Sequence, residues 1–195
     1  MKRKMFLLTL LISTSMLSVF SQEPPTKFFI SGYKVHLIPS KTYSLTVKDS
    51  VKATQEMVDG VLNISIYDQT GQGPKDELFL CIDQLDYLYL HNSVLVSNET
   101  IKCDSLTLYT AAATGSLMID SEYLAINLGG GSNFIFKGKT NFFDCAVGAG
   151  SSLSAGDLVA ESADIDVMGY SSLVVNTKKA NKKRVENSSF KNVAE

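Results

Sequence analysis

The feature that most constrains the fold is a short phrase that recurs five times between residues 92 and 175. Each copy has a small polar corner followed by alternating apolar and polar residues, as in GSLMI and GSSLSA. The intervals between the anchoring apolar residues are 22, 17, 19 and 20 residues, and the anchors are Leu95, Leu117, Phe134, Leu153 and Leu173. A period near 20 residues predicts a solenoid, in which each repeat forms one turn.

A second apolar phrase lies between these corners and repeats at nearly the same interval. Its last residues are 18, 18, 19 and 20 positions apart, namely Leu90, Leu108, Ile126, Cys145 and Ile165. The copies run in the same sense, so they must stack in parallel, and the gaps are too short for the crossover helices of open parallel sheets. We therefore expect an all-β chain that forms a single-stranded parallel β-helix with about 20 residues per turn.

The alternation predicts which side chains fill the interior of this coil. The expected inward set is Leu88, Leu90, Leu106, Leu108, Leu124, Ile126, Leu128, Cys145, Val147, Ile165 and Val167. A two-sheet antiparallel sandwich is the alternative, and it would need hairpin signals between its strands. The dipeptide Asp59-Gly60 is the one such signal, which favours the β-helix.

The N-terminus has the pattern of a secretory signal peptide. Lys2, Arg3 and Lys4 precede an apolar run over 5–20, and Ser21 ends a cleavage-like site. A membrane anchor is the alternative, but the run is shorter than a spanning helix needs, and no later stretch qualifies. The expected organisation is a signal peptide over 1–21, cleaved after Ser21, a β-helix domain over 22–177 and a basic tail or degenerate cap over 178–195. The mature protein is then exported, to the periplasm or the cell surface.

Charge excludes one class of partner. Without the three basic residues at its start, the chain has 15 basic against 20 acidic residues, and six of the basic ones lie in 178–195. An acidic body would repel a phosphate backbone, so nucleic acid is not an expected partner. Cys103 and Cys145 are about two turns apart, which is beyond disulfide reach, and we expect no disulfide framework.

The N-terminal half carries a family resemblance. FFISGYKVHL, YSLTV and VDGVLNISI precede repeats of an apolar pair, a Gly/Ser corner and another apolar pair. Over about 27–175 this pattern resembles the head GIN domain of putative autotransporter adhesins, a family of unknown function found in exported proteins of Bacteroidetes. The resemblance implies a right-handed parallel β-helix and a location in the cell envelope or at the surface. It brings no established catalytic residues.

Stacking the strand phrases at their spacings predicts outward columns of side chains. One column is Tyr87, Ser105, Tyr123 and Phe142; the next two are Tyr89, Thr107, Ala125, Asp144, Asp164 and His91, Tyr109, Asn127, Ala146, Asp166. The candidate ligand-binding surface is the strip of Tyr87, Tyr89, Tyr109, Tyr123, Asp144, Asp164 and Asp166. Aromatic rings beside carboxylates suit a surface glycan or a protein partner. The alternative is that these residues merely suit exposed strands.

Catalysis is the less favoured hypothesis. Asp164 and Asp166 lie two apart on one strand, at a spacing that overlaps that of inverting glycosidases. However, the mature chain has a single arginine, Arg184, in the tail, and neither carboxylate has an evident desolvating pocket. His36 and His91 lie far apart without cysteines at ligand spacing, so we expect neither metal nor cofactor. The sequence favours a non-catalytic binding or adhesion module; a carbohydrate-active enzyme and a purely structural envelope protein are the alternatives.

Overall fold

The computed structural model describes residues 23–48, 53–66, 74 and 76–194. The proposed signal peptide therefore lies outside the described residues. The strands are β1 (Lys27–Ser31), β2 (Tyr33–Pro39), β3 (Ser44–Lys48), β4 (Ala53–Val58), β5 (Val61–Ile66), β6 (Asp76–Ile82), β7 (Tyr87–His91), β8 (Val94–Ala111), β9 (Thr114–Gly129), β10 (Asn133–Val147), β11 (Ser152–Met168), β12 (Ser172–Thr177), β13 (Ala180–Glu186) and β14 (Ser189–Asn192). Within these ranges, no helix has the length and hydrophobicity to cross a membrane.

The predicted β-helix is confirmed: the chain forms a mostly parallel β-solenoid of about five turns with about 20 residues per turn. Strands β8 to β11 are each 15 to 18 residues long and bend around the coil. The first residues of each pair with the first residues of the next, and the last residues pair with the last. Two stacked faces result, and one of them carries the candidate site.

The predicted inward positions form the core. All eleven are buried, and Leu88, Leu108 and Leu124 have no exposed surface. Burying a side chain of this size contributes roughly 1.5–3 kcal/mol, so the stacked interior is the main source of stability. All three cysteines have free thiols. Cys145 is buried in the core, whereas Cys103 is half-buried against it.

The register of one turn differs from the prediction by two residues. Leu88 pairs with Leu108, 20 positions later, and not with Leu106. The cause is a bulge in β8 between Val96 and Thr100, where two residues are added relative to β9. A shift by two residues keeps every side chain on the same face, so the apolar pattern predicts burial correctly but does not distinguish the two registers.

The N-terminal end departs from simple coiling. Strand β1 lies between β5 and β7, so the order of strands along the solenoid differs from their order in the chain. Strands β3 and β4 are antiparallel to β6 and β5. The β4–β5 connection is the Asp59-Gly60 hairpin, with φ of 50° and 78° as a two-residue type I′ turn requires. The hairpin signal in the sequence thus marks the end of the solenoid, not a sandwich.

Serine hydroxyls link successive turns at the corners that precede strands such as β8, β10 and β14. Ser132 Oγ accepts a hydrogen bond from the backbone N–H of Ala113 and donates one to the carbonyl of Gly129. Ser93 and Ser188 accept N–H groups of the adjoining corners in the same way, from Gly32 and Ser171. These hydroxyls, which are buried at Ser93 and Ser132 and half-buried at Ser188, satisfy backbone donors that no sheet partner reaches, and so hold the two faces in register.

Candidate binding surface

The outer face of the solenoid is the solvent side of β1, β7, the second halves of β8 to β11, and β13. Four rings cover its N-terminal part, and we call them the aromatic cluster: Phe29, Tyr87, Tyr89 and Tyr109. Phe29, Tyr89 and Tyr109 occupy one column on three neighbouring strands. The rings of Phe29 and Tyr89 meet edge to face with centroids 5.0 Å apart, and those of Tyr87 and Tyr109 are tilted at 5.8 Å.

Tyr123 lies apart from this cluster. Tyr87 stands beside Thr107, whereas Tyr123 stands between Ser105 and Phe142. All three expected columns are therefore wrong between β7 and β8, because of the two-residue shift in β8: Tyr87, Tyr89 and His91 pair with Thr107, Tyr109 and Ala111. Tyr123 instead stacks on the ring of Phe142, with centroids 5.6 Å apart and an interplanar angle of 4°.

Burial raises the pKa of two tyrosines on this face. Burial raises the pKa of the Tyr87 phenol, and the neighbouring Tyr109 and Tyr89 phenols raise it further. Burial also raises the pKa of Tyr123, with the carboxylate of Asp144 adding to the effect; the Tyr123 hydroxyl donates to Asp144 Oδ2 at 3.3 Å. Both phenols therefore stay neutral at neutral pH and act as hydrogen-bond donors.

The acidic part of the predicted strip lies beside the last turn. Asp144 pairs with Asp164 in the sheet, and Lys182 Nζ is 3.6 Å from Asp164 Oδ2. Arg184 donates from Nε to Asp166 Oδ1 at 2.8 Å and from its terminal nitrogen to Asp166 Oδ2. These hydrogen bonds raise the pKa of the guanidinium. Because Arg184 belongs to β13, which pairs in parallel with β11, its guanidinium lies next to the carboxylate of Asp166.

A groove of about 620 Å³ opens at the N-terminal end of the aromatic cluster. Its walls come from the β4–β5 hairpin, β1, the start of β7, and β8; the lining residues are Lys27, Phe29, Val58, Asp59, Val61, Asn63, Asp86, Tyr87 and Thr107. Neither Phe29 nor the hairpin belongs to the strip predicted from the sequence. The alternation in FFIS marks Phe29 as outward-facing, but its partner Tyr89 is 60 residues away in the chain.

The two histidines serve local contacts on different faces. His36 stacks on Phe79 with centroids 4.6 Å apart, and its Nε2 donates to Glu77 Oε1 at 3.2 Å. His91 Nδ1 lies 3.1 Å from Ser31 Oγ. In the part of the chain that the structure describes, no group of three or more His, Cys, Asp or Glu side chains is placed to hold a metal ion.

Residues 31–190 match the family model described as "putative auto-transporter adhesin, head GIN domain". The chain belongs to this family. The match covers most of the solenoid, from the end of β1 to within β14. The resemblance stated from the sequence is thereby confirmed. The comparison with curated proteins found no match.

Three solved structures share the fold. A putative adhesin from Bacteroides fragilis has a TM-score of 0.74 at 11% identity, over 87% of this chain and 93% of that one. A putative adhesin from Parabacteroides merdae has a TM-score of 0.67 at 14% identity, over 93% and 95%. A protein from Parabacteroides distasonis described as a putative lipid binding protein has a TM-score of 0.57 at 11% identity, over 89% and 94%.

Proposed function

We propose that the protein is a non-catalytic, exported binding module of the bacterial cell envelope, of the adhesin type, and that it contacts a surface glycan or protein through its outer face. Family membership supports an adhesin-like role at or beyond the envelope. The basic and apolar N-terminus supports export, with cleavage after Ser21.

The aromatic cluster is the single observation that carries this proposal. Phe29, Tyr89 and Tyr109 form a ladder of rings on adjacent strands, and 41% of the surface of Tyr109 is exposed. Rings held by strand pairing lose little side-chain entropy on binding, and aromatic residues are frequent among the residues that dominate binding energy. Contiguous apolar patches on the surface of a soluble protein commonly mark interaction sites.

The ion pairs of the last turn make the enzymatic alternative less attractive. A glycosidase needs one carboxyl that holds a proton and one that stays free to act as base or nucleophile. Asp164 and Asp166 are each engaged in an ion pair, with Lys182 and Arg184 respectively, so neither is left free beside an open cleft. We therefore assign these aspartates to fastening the last turn. A purely structural envelope role would leave the aromatic cluster without a ligand.

The test compares three variants on an array of envelope glycans and host matrix proteins. Tyr89→Ala/Tyr109→Ala should weaken binding by ~2 kcal/mol or more, which is about thirty-fold in Kd. Tyr170→Ala, at an exposed corner between β11 and β12, is the matched control and should bind like the parent. Asp164→Asn/Asp166→Asn should also retain binding. Cleavage of a polysaccharide by the parent, lost in the aspartate variant, would favour the enzyme instead.

A further inference from the structure

The groove at the hairpin end combines two kinds of surface. Phe29 and Tyr87 present ring surfaces, and both are half-buried and held by ring contacts with Tyr89 and Tyr109. Around them stand short polar groups: the carboxylates of Asp59 and Asp86, the Asn63 amide, the Thr107 hydroxyl and the Lys27 ammonium. The volume of the groove falls within the roughly 300–1,000 Å³ of ligand sites in proteins, but five of its nine lining residues carry polar or charged side chains, which suits a polar ligand.

The hydrogen-bonding groups of the groove are fixed by local structure. Asn63 Nδ2 donates to the carbonyl of Val61 at 3.2 Å, which orients the amide within β5. Gln84 Nε2 donates to Asp86 Oδ1 at 3.0 Å. Asp59 is held by the two-residue hairpin turn, at a φ of 50°. Each carboxylate has two oxygens that can each accept more than one hydrogen bond, so both retain capacity for a ligand.

We infer that this groove binds an uncharged oligosaccharide. Apolar C–H faces of a sugar pack on aromatic rings, while its hydroxyls donate to carboxylates and amide oxygens. The lining holds two carboxylates against one ammonium, so an acidic glycan would meet repulsion whereas a neutral one would not. The groove spans four neighbouring strands, β5, β1, β7 and β8, or about 14 Å at ~4.8 Å per strand, which exceeds the length of a single sugar ring.

This inference rests on the proposed binding function. It specifies the ligand class and places one end of the ligand in the groove. Tyr89 and Tyr109 lie next to the groove, because Tyr89 is in ring contact with Phe29 and Tyr109 with Tyr87. A glycan chain that enters the groove can therefore continue over the aromatic cluster. The β4–β5 hairpin forms the outer wall, and the exposed side chain of Val58 stands at its tip.

The experiment uses calorimetric titration of the purified protein with uncharged hexasaccharides of glucose and mannose, and with an oligogalacturonate hexamer as the acidic counterpart. Asp59→Asn/Asp86→Asn removes both charges while keeping the shape, and asparagine tolerates the positive φ at position 59. Thr107→Phe fills the groove from β8 without altering the hairpin. Glu99→Gln, a change at an exposed carboxylate of β8 that does not line the groove, is the control.

We expect at least one uncharged hexasaccharide to bind the parent and the control equally, and both groove variants to bind it about tenfold more weakly or worse. Absence of binding to every uncharged probe overturns the inference, as does tighter binding of the oligogalacturonate. Equal binding by parent and groove variants also overturns it. If Tyr89→Ala/Tyr109→Ala alone loses binding, the inference fails while the proposed function stands; if only the groove variants lose binding, the ladder has no part in it.

Discussion

Arg184 in the last turn lies directly beside Asp166 in the preceding turn, and its guanidinium donates to both oxygens of that carboxylate. Lys178 likewise donates to both oxygens of Glu161, and Lys182 Nζ forms an ion pair with Asp164 at 3.6 Å. The basic C-terminal segment is thus the electrostatic complement of β11. In the sequence it stands out only as a run of cations after an acidic body.

The first prediction concerns this last turn. Arg184→Ala should increase the hydrogen-exchange rates of the β13 backbone amides, because the two charge-assisted bonds that fasten this edge strand are lost. The midpoint of global unfolding should change little, since the ion pair is partly exposed and its contribution is screened by water. Hydrogen exchange followed by mass spectrometry measures the exchange rates of the β13 amides, and thermal unfolding measures the midpoint.

Lys179→Ala is the matched control for that change, since Lys179 is an exposed cation of the same segment. The excess exchange in the Arg184 variant should shrink in 1 M salt, where the screening length is about 3 Å. Identical exchange rates in the two variants would show that the ion pair does not fasten the turn.

A second prediction concerns the interior. Leu106→Asp should lower the free energy of unfolding by at least ~3 kcal/mol, because an unpaired carboxylate would enter a position with no exposed surface. Ser105→Asp, on the exposed side of the same strand, should change it by less than about 0.5 kcal/mol. Chemical denaturation followed by circular dichroism measures both. Equal stabilities would contradict the inward position of Leu106.

The period of about 20 and the inward residues could be predicted because they depend on local alternation. Leu108 and Ile126, for example, are buried wherever the strands slide by an even number of residues. Register is different, since it depends on a bulge near Asn98 that no apolar residue marks. For this reason the sequence predicts one column for Tyr87 and Tyr123, whereas the structure separates them.

The pairing of the N-terminal strands could not be predicted for a second reason. Strand β1 pairs with both β5 and β7, and the contact of Phe29 with Tyr89 joins residues 60 positions apart. Such partners are chosen by the packing of whole turns, not by local sequence. The groove between the hairpin and the aromatic cluster depends on this choice, so it emerges only in three dimensions.

A third prediction uses two glycines with positive φ. Gly138, at a φ of 113°, would place an added Cβ 2.0 Å from the carbonyl oxygen of Ile119. Gly150, at a φ of 72°, has nothing within 4 Å of that position. Gly150→Ala should cost about 1 kcal/mol from backbone strain alone. Gly138→Ala should cost at least ~2 kcal/mol more, because β10 must also move away from β9.

Thermal or urea unfolding of the two alanine variants checks this difference. The parent provides the reference, and unchanged circular dichroism spectra would show that both variants keep the β-helix. Equal destabilisation would mean that strand β10 can move away from β9 at little cost.

The last prediction concerns Glu77, which lies among cations on the opposite face. The hydrogen bond from His36 lowers the pKa of this carboxyl most, and Lys34 and Lys48 lower it further, while burial partly opposes them. A carboxyl whose pKa is lower in the folded state stabilises the fold at pH values above its ordinary pKa of 4.5. That contribution is lost as the pH falls through the lowered value.

Glu77→Gln should therefore be less stable than the parent at pH 7, and the difference should shrink as the pH is lowered from about 5 to about 3. Urea unfolding at a series of pH values measures the difference directly. Glu56→Gln is the control, because Glu56 is an exposed carboxylate on β4 that makes no ion pair among the described residues. A difference that grows on acidification, or one that matches the control at pH 7, would mean that the cations around Glu77 do not stabilise the fold.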